Sequence, residues 1–228
     1  VQDLQPLESV SASGFAFSTA PFLLCSGVLF LLGIGIYREE DLFTQRSVPL
    51  KLLDALAVRA TRPRDATILS GLSVPFVFVA ELLVVAVLFA LPVSITVPVV
   101  LLAVAVVEEI AKSLHLYAAF EGDRFRRGRR TALTLGALSG LGFFVGEKFT
   151  AVVQVVGLST VPIGEATAAT AGVLPTASLL LAPLALHVVT ASLSTVGATR
   201  GLQSYLAGLL VAVVVHAGYN LAVVSRLA

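Results

Sequence analysis

Ionisable side chains stand within long apolar stretches of this chain, where they are costly to bury. The 228 residues include only three histidines, and all three lie in such stretches. An ionisable group at the centre of a membrane costs about 2.5–3.5 kcal/mol or more, so it indicates a functional site by default. The residues concerned are Glu81, Glu108, Glu109, Lys112, His115, Glu147, Lys148, His187 and His216. Their concentration predicts a polar site inside a bundle of apolar helices.

The spacing of these residues predicts how they face one another. At about 100° per residue, Glu108, Lys112 and His115 share one stripe of a helix, and Glu109 lies off its edge. Glu108 and Lys112, four residues apart, are expected to form an ion pair, which lowers the cost of burying both.

Depth in the predicted helices brings the groups together. Glu108, His187 and His216 lie near the centres of their helices, whereas Glu147 and Asn220 are displaced outward by several residues of about 1.5 Å each. His216 and Asn220 are four residues apart and leave the same helix face. We therefore expect one polar layer between the membrane centre and its outer face.

Charge counting favours a cation in this layer. Four carboxylates (Glu81, Glu108, Glu109 and Glu147) face two lysines (Lys112 and Lys148), which leaves two negative charges in excess. Either some carboxylates are protonated or a divalent cation sits among them. A glutamate with two histidines is a suitable zinc donor set with an open position for water. A buried glutamate pair could also activate water, with His216 or Asn220 donating to an oxyanion.

Composition predicts the elements that hold these residues. The chain is 57% hydrophobic and 13% charged, whereas soluble domains have about 25% charged residues. A spanning helix needs about 20 apolar residues, and six segments qualify: 15–37, 68–91, 99–120, 131–153, 176–197 and 203–225. The predicted fold is an all-α, polytopic membrane bundle of about six transmembrane helices.

Two parts are expected within this bundle. Residues 1–98 would form a two-helix membrane segment with a cytoplasmic loop at 38–67, and residues 99–228 a four-helix core that carries the polar site. The fourth helix contains two pairs of glycines four residues apart, Gly136 with Gly140 and Gly142 with Gly146. Because such pairs let a neighbouring backbone approach closely, this helix is expected to be central.

Basic residues predict the orientation. Six lysines and arginines lie in the loop at 38–67, five between the third and fourth helices and one between the fifth and sixth. These loops should therefore be cytoplasmic, with both termini outward, in a membrane that we expect to be a prokaryotic plasma membrane. The net charge of +1 gives no case for a nucleic-acid partner.

Three features of composition are less informative about function. The single cysteine, Cys25, excludes a disulfide within the chain and is expected to pack in the core. Because the chain has no methionine, we expect further residues before Val1. The first apolar run lacks a basic segment before it, so it is not expected to be a cleaved signal peptide.

Each polar residue also has a structural interpretation. Glu81 is alone on the second helix and is expected to pair with Lys112 or Lys148. His115 lies nearer the cytoplasmic end, where it could cap a helix or extend to the interface. The remaining residues could form a satisfied polar network that fixes helix packing.

Common membrane-protease signatures are absent. There is no HExxH zinc helix and no GxGD aspartate motif. The segment Ala137-Leu138-Ser139-Gly140 only partly resembles the GxSG of rhomboid proteases.

Four motifs on successive helices resemble those of the PrsW family of intramembrane proteases. They are Glu108-Glu109-x-x-Lys112, Phe143-x-x-x-Glu147, His187-x-x-Thr190 and His216-x-x-x-Asn220. That family is related to the CAAX prenyl endopeptidases, to bacteriocin-processing proteases and to the scaffold subunit of gamma-secretase. The resemblance covers residues 99–225.

The resemblance implies an endopeptidase, of metallo- or glutamate type, that hydrolyses membrane-associated proteins within the bilayer. Glu108 and Glu109 would then activate water, and Asn220 would help to hold the oxyanion. The residues that would bind a divalent metal, expected to be zinc, or position the water are Glu147, His187 and His216.

One residue departs from the pattern. Asparagine is expected after the second-motif glutamate, but Lys148 is present and can neutralise Glu147, which weakens a metal role for that carboxylate. The loop at 38–67 would suit the end of a transporter permease and predicts a possible association with a transporter complex.

Two other functions use the same residues. A non-catalytic scaffold could keep the polar network for assembly, and a proton- or ion-coupled transporter could use glutamates and histidines as a relay. The chain shows no internal repeat or symmetric pair of broken helices, which argues against a transporter.

Overall fold

The computed structural model describes residues 12–36, 47–89, 91–157 and 173–227, and its regular structure there is entirely helical. This confirms the predicted all-α class. The described helices are α1 (Ala12–Ile36), α2 (Val48–Arg59), α3 (Pro63–Leu88), α4 (Val93–Glu121), α5 (Arg129–Gly157), α6 (Val173–Ala198) and α7 (Leu202–Leu227).

Four helices in this part of the chain are long and apolar enough to cross a membrane. These stretches are Pro63–Leu88, Ser94–Glu121, Leu181–Ala198 and Leu202–Ser225. Two further predicted spans, 15–37 and 131–153, fall on α1 and α5 and are not among the four. Large apolar side chains such as Val87, Phe149 and Leu210 point away from the bundle, with 78%, 66% and 64% of their surface exposed. Such an apolar exterior suits contact with lipid rather than water.

Helix α2 lies within the segment predicted as a cytoplasmic loop. Its twelve residues are too few to span a bilayer, and a proline stands in its first turn, where no intrahelical N–H is needed. A short connection leads to α3, where Asp65 accepts hydrogen bonds from the backbone N–H groups of Thr61 at 2.9 Å and Arg62 at 2.7 Å. This cap sets the point at which α3 begins.

Helix α5 packs between α3 and α6 through its two glycine pairs. A Cβ atom on Gly136 or Gly140 would lie 2.6 Å from a backbone atom of α6, at Ser192 and Val188 respectively. A Cβ on Gly142 would overlap the carbonyl oxygen of Thr67 in α3. The first pair therefore lets α6 approach closely, and the second pair does the same for α3. This confirms the central position predicted for α5.

An apolar cluster joins the helices at the end opposite the polar site. Leu116 and Phe120 of α4 pack with Leu135 of α5 and Tyr205 of α7, and all four are almost completely buried. The ring of Tyr205 also stacks on that of Tyr117, with centroids 4.6 Å apart. This cluster fixes the relative positions of the helices that carry the polar residues.

Replacing Gly142 by alanine is expected to destabilise the bundle. The added methyl group would meet the α3 backbone, which cannot move aside as a flexible side chain would, and overpacking of this kind costs about 1–3 kcal/mol. Gly218→Ala is the matched control, since nothing lies within 4 Å of a Cβ at that helical glycine. The measurement is the thermal unfolding midpoint in detergent. A Gly142→Ala midpoint at or above that of Gly218→Ala would contradict the close approach of α3 and α5.

Candidate active site

The polar residues predicted from four segments converge in one buried cluster. Helix α4 contributes three side chains, because Glu108 and Glu109 lie four and three positions before Lys112 and both reach its side of the helix. Helices α5, α6 and α7 contribute one each. The members of the cluster are Glu108, Glu109, Lys112, Glu147, His187 and His216.

Lys112 lies at the centre of the cluster and is completely buried. Its Nζ donates to Glu109 Oε1 at 2.6 Å and lies 3.0 Å from His187 Nδ1. The same ammonium is 3.5 Å from His216 Nδ1 and 3.9 Å from Glu108 Oε2. One positive charge is therefore shared by two carboxylates and two imidazoles from three helices, which lowers the cost of burying the carboxylates.

Each imidazole contacts a carboxylate through the nitrogen that points away from Glu108. For His216, Nδ1 lies 2.7 Å from Glu109 Oε1, and Nε2 lies 3.6 Å from Glu108 Oε2. For His187, Nε2 lies 2.8 Å from Glu147 Oε2, and Nδ1 lies 4.0 Å from Glu108 Oε2. Glu109 and Glu147 thus fix the two rings so that both present a second nitrogen to Glu108.

Aromatic contacts hold the two rings in place. His187 and His216 meet edge to face with centroids 5.6 Å apart, and Phe143 tilts against His187 at 5.2 Å. Phe143 also lies below the ammonium of Lys112, with its centroid 5.0 Å from Nζ. This ring therefore supports both the cation and one imidazole.

Glu108, like Glu109, has a buried side-chain oxygen without a hydrogen-bond partner among the described residues. Among the described residues, no hydrogen bond reaches its Oε2, which faces both imidazoles. Ligand atoms of Glu108, His187 and His216 all lie within 4.8 Å of one another. A buried carboxylate oxygen left unpaired beside two imidazoles fits a divalent metal.

The second layer of residues also fits a metal. Histidines that bind metals usually donate their other ring N–H to a carboxylate or carbonyl, which fixes the tautomer and the ring orientation. Glu109 is the carboxylate partner of His216, and Glu147 is the carboxylate partner of His187. The ammonium of Lys112 contacts Nδ1, the inner nitrogen of His187. A metal ion bound to that nitrogen would replace this contact.

A cavity connects this cluster to the surface of the bundle. It measures about 300 Å³, and three of its lining residues are the carboxylates Glu81, Glu108 and Glu147. The side chain of Glu108 keeps 12% of its surface exposed, and that of Glu147 36%. The carboxylate of Glu108 is therefore open to this cavity, as expected for a hydrolytic site.

Hydroxyl groups support α4 behind the cluster. Ser113 donates to the carbonyl of Glu109 at 2.6 Å, and its oxygen lies 3.0 Å from the Tyr205 hydroxyl. Ser139 donates to the carbonyl of Lys112 at 2.5 Å and is completely buried. Ser139 is thus a packing residue, in accord with the incomplete serine-protease motif around it. Tyr205 was not singled out from the sequence, because a tyrosine near a helix end is an ordinary feature of membrane helices.

The structure differs from the sequence interpretation at three residues, which are Glu109, Glu81 and His115. Glu109, placed off the edge of the polar stripe, is completely buried and bonds Lys112 and His216. Neither lysine pairs with Glu81, since Lys112 bonds Glu109 and Lys148 bonds Glu147 at 2.9 Å.

His115 neither caps a helix end nor extends to the interface; only 3% of it is exposed. Asn220 is half-buried on α7, one turn beyond His216, and within the described residues no hydrogen bond joins it to the cluster. Its role at an oxyanion stays a prediction.

Carboxylates and imidazoles that are buried among apolar helices, yet open to a cavity, are typical of an intramembrane hydrolase. The chain belongs to the PrsW family of intramembrane metalloproteases, whose family model matches residues 66–228. It is therefore an integral membrane protease that acts on membrane-protein substrates within the bilayer.

The matched region includes α4 to α7 and almost all of α3, whereas α1 and α2 precede it. No curated protein and no solved structure matches the chain. The predicted association with a transporter complex receives no support from these comparisons.

Proposed function

We propose that the protein is an endopeptidase in which Glu108 activates a water molecule for attack on a peptide bond of a membrane-associated protein. The observation that carries this proposal is the buried Oε2 of Glu108, which has no hydrogen-bond partner among the described residues. It faces His187 and His216, and the same side chain lines the cavity that leads to the surface.

The reaction needs a base, a donor for the oxyanion and a proton for the leaving amine. Glu108 would take a proton from the cavity water as the water oxygen attacks the carbonyl carbon. The same carboxyl group would pass that proton to the departing nitrogen when the peptide bond breaks. Asn220, one turn beyond His216 on α7, would donate to the oxyanion. A substrate helix must unwind locally first, because its carbonyls are otherwise hydrogen-bonded internally.

Glu109 would act by holding His216 and Lys112 rather than by contacting water. It is completely buried and lies 2.7 Å from His216 Nδ1 and 2.6 Å from Lys112 Nζ. This differs from the role in water activation that the family resemblance implied for it.

We further propose that the family's divalent metal is zinc in this chain, held by His187 and His216 beside Glu108, whose Oε2 faces both rings. When bound, zinc would polarise the substrate carbonyl and acidify a coordinated water, and Glu108 would remain the base. The sequence predicted Glu147 as a further ligand. The geometry does not favour this, because Glu147 contacts the outer nitrogen of His187 and pairs with Lys148.

Both termini are proposed to face away from the cytoplasm. The basic residues of the loops before α3, between α4 and α5 and between α6 and α7 would then all be cytoplasmic, as the positive-inside rule requires. A C-terminal tag should be accessible to a membrane-impermeant reagent in intact cells. A protected tag would reverse this orientation.

Glu108→Gln should reduce the cleavage rate about a hundredfold or more, the usual contribution of a general base. The amide keeps the shape of the side chain but cannot accept the proton of water. Folding should survive, since a neutral amide costs less to bury than a carboxylate. The measurement is cleavage of a membrane-anchored reporter by reconstituted protein, with thermal stability followed in parallel.

Glu121→Gln is the matched control, because Glu121 lies at the end of α4 and pairs with Arg127 at the surface. It should cleave like the parent. Turnover by Glu108→Gln at the parental rate would exclude Glu108 as the base. If the parent itself cleaves no membrane-anchored substrate while Glu108→Gln alters assembly, the scaffold function applies instead.

Metal content tests the zinc proposal and the place of Glu147 outside the ligand set. His187→Ala and His216→Ala should lose zinc, whereas Glu147→Gln should keep it with an affinity lowered about 10- to 100-fold, as is usual for an outer-shell partner. The measurement is zinc bound per protein after dialysis against graded chelator. Complete loss of zinc in Glu147→Gln would return Glu147 to the ligand set, and a parent that holds no zinc would exclude the zinc proposal.

A further inference from the structure

Helices α1 and α2, which precede the region matched by the family, enclose a second cavity against α3 and α4. It measures about 400 Å³, within the range of ligand-binding pockets. Its walls are almost entirely apolar, with Leu31 of α1, Leu56 of α2, Phe76 of α3 and Ile110 of α4 among the lining residues. The cavity shares only Val77 with the lining of the protease cavity.

A buried imidazole stands in the wall of this second cavity without a partner. His115 is 3% exposed, and among the described residues no hydrogen bond reaches its Nε2. The other side of the ring is held by the backbone of Ala66 and Ala111. Because buried polar atoms in native proteins are nearly always bonded, and Nε2 of a neutral imidazole accepts when Nδ1 carries the proton, His115 indicates a hydrogen-bond donor on a ligand.

An arginine lines the same cavity. Arg59 donates from Nη1 to the carbonyl of Ala55 at 3.0 Å and from Nη2 to the carbonyl of Leu31. A guanidinium has five N–H donors and keeps its charge, so these two bonds orient it without satisfying it. Arg62 and Arg64 follow at the surface, where both are exposed. This end of the cavity is therefore positively charged.

The polar and apolar parts of the cavity are separated along the bundle. Arg59 ends α2 just before α3 begins, and His115 packs on Ala66 in the first turn of α3. From Leu69 to Ala80 the α3 wall extends over twelve residues, a rise of about 16 Å at 1.5 Å per step. A ligand that fits has an anionic head at one end and a long apolar chain.

We propose that this cavity binds one acyl chain of an anionic phospholipid, with the phosphate at Arg59 and a headgroup hydroxyl that donates to His115 Nε2. Arginine suits phosphate because it offers charge and parallel N–H donors together. The basic loops beside the cavity are those assigned to the cytoplasmic side, where anionic lipids attract such residues. The site is independent of the protease function and gives α1 and α2 a role of their own.

The absence of tryptophan from the chain provides a direct test. Phe76→Trp places a single fluorophore in the cavity wall, and Phe149→Trp places one on the lipid-facing surface of α5, where Phe149 is 66% exposed. Each variant is reconstituted in phosphatidylcholine vesicles that contain a small mole fraction of a brominated lipid, either phosphatidylglycerol or phosphatidylcholine. Quenching reports contact between brominated chains and the indole.

The proposal predicts that brominated phosphatidylglycerol quenches Phe76→Trp severalfold more than brominated phosphatidylcholine does, and that it saturates. Phe149→Trp should respond equally to both lipids. Adding Arg59→Gln to Phe76→Trp should abolish the preference, and Arg59→Lys should retain part of it. Arg64→Gln, which removes a charge outside the cavity, is the control and should change nothing.

Equal quenching of Phe76→Trp by both lipids would show that only bulk lipid contacts the indole, and it would overturn the proposal. Absence of quenching would do the same, as would a preference that survives Arg59→Gln. If Phe76→Trp fails to fold by thermal unfolding, Leu72→Trp on the same wall replaces it. The parent chain, analysed by native mass spectrometry after delipidation, should retain one phosphatidylglycerol, and Arg59→Gln should retain none.

Discussion

Negative charge cannot be left uncompensated inside a membrane, and the burial of Lys112 meets this constraint. Its ammonium contacts carboxylates of its own helix and imidazoles of α6 and α7, at distances from 2.6 to 3.9 Å. Losing one partner of a buried ion pair costs about 3–5 kcal/mol, because the other charge is then stranded. Docking of α6 and α7 on α4 and neutralisation of the cluster are therefore coupled, and the polar residues define how the apolar helices are rotated. Apolar surfaces alone would not do so, since lipid chains are as apolar as leucine.

Glycine spacing in α5 sets the position of one imidazole. A Cβ on Gly140 would lie 2.6 Å from the carbonyl carbon of His187, so the backbone that carries this histidine rests directly on the glycine. Seven residues along α5, Glu147 then reaches the outer nitrogen of the same ring at 2.8 Å. The small residue lets the helices approach, and the carboxylate of Glu147, two turns further along the same helix, orients the ring. A glycine pair, which is common in membrane helices, thereby contributes to the site by positioning the backbone of His187.

Much of the fold and the membership of the site could be predicted because both depend on periodicity and depth. Glu108, His187 and His216 were expected in one layer, and their ligand atoms lie within 4.8 Å of one another. What the sequence could not predict depends on atomic contacts. Angular spacing placed Glu109 off the polar stripe, but the rotation of α4 against α7 buries it. Likewise, which nitrogen of His187 faces Glu147 depends on the orientation of a ring that packs against Phe143. Helix α2 was missed because it is too short to carry the hydropathy signal of a membrane span.

Lys112 and a divalent cation would contact the same carboxylates and imidazoles, and the geometry allows both to be present. The contact of Lys112 with Glu109, at 2.6 Å, is shorter than its contact with His187 Nδ1, at 3.0 Å. If His187 turns its inner nitrogen to a metal, Lys112 can therefore stay in place as the partner of Glu109. Without a metal, the same lysine offsets the negative charge of the two carboxylates in the membrane. A site that is electrostatically tolerable in both states can be assembled with its helices first and loaded with metal afterwards. A bundle that relied on the metal alone for its positive charge would have to fold around buried carboxylates that nothing neutralises.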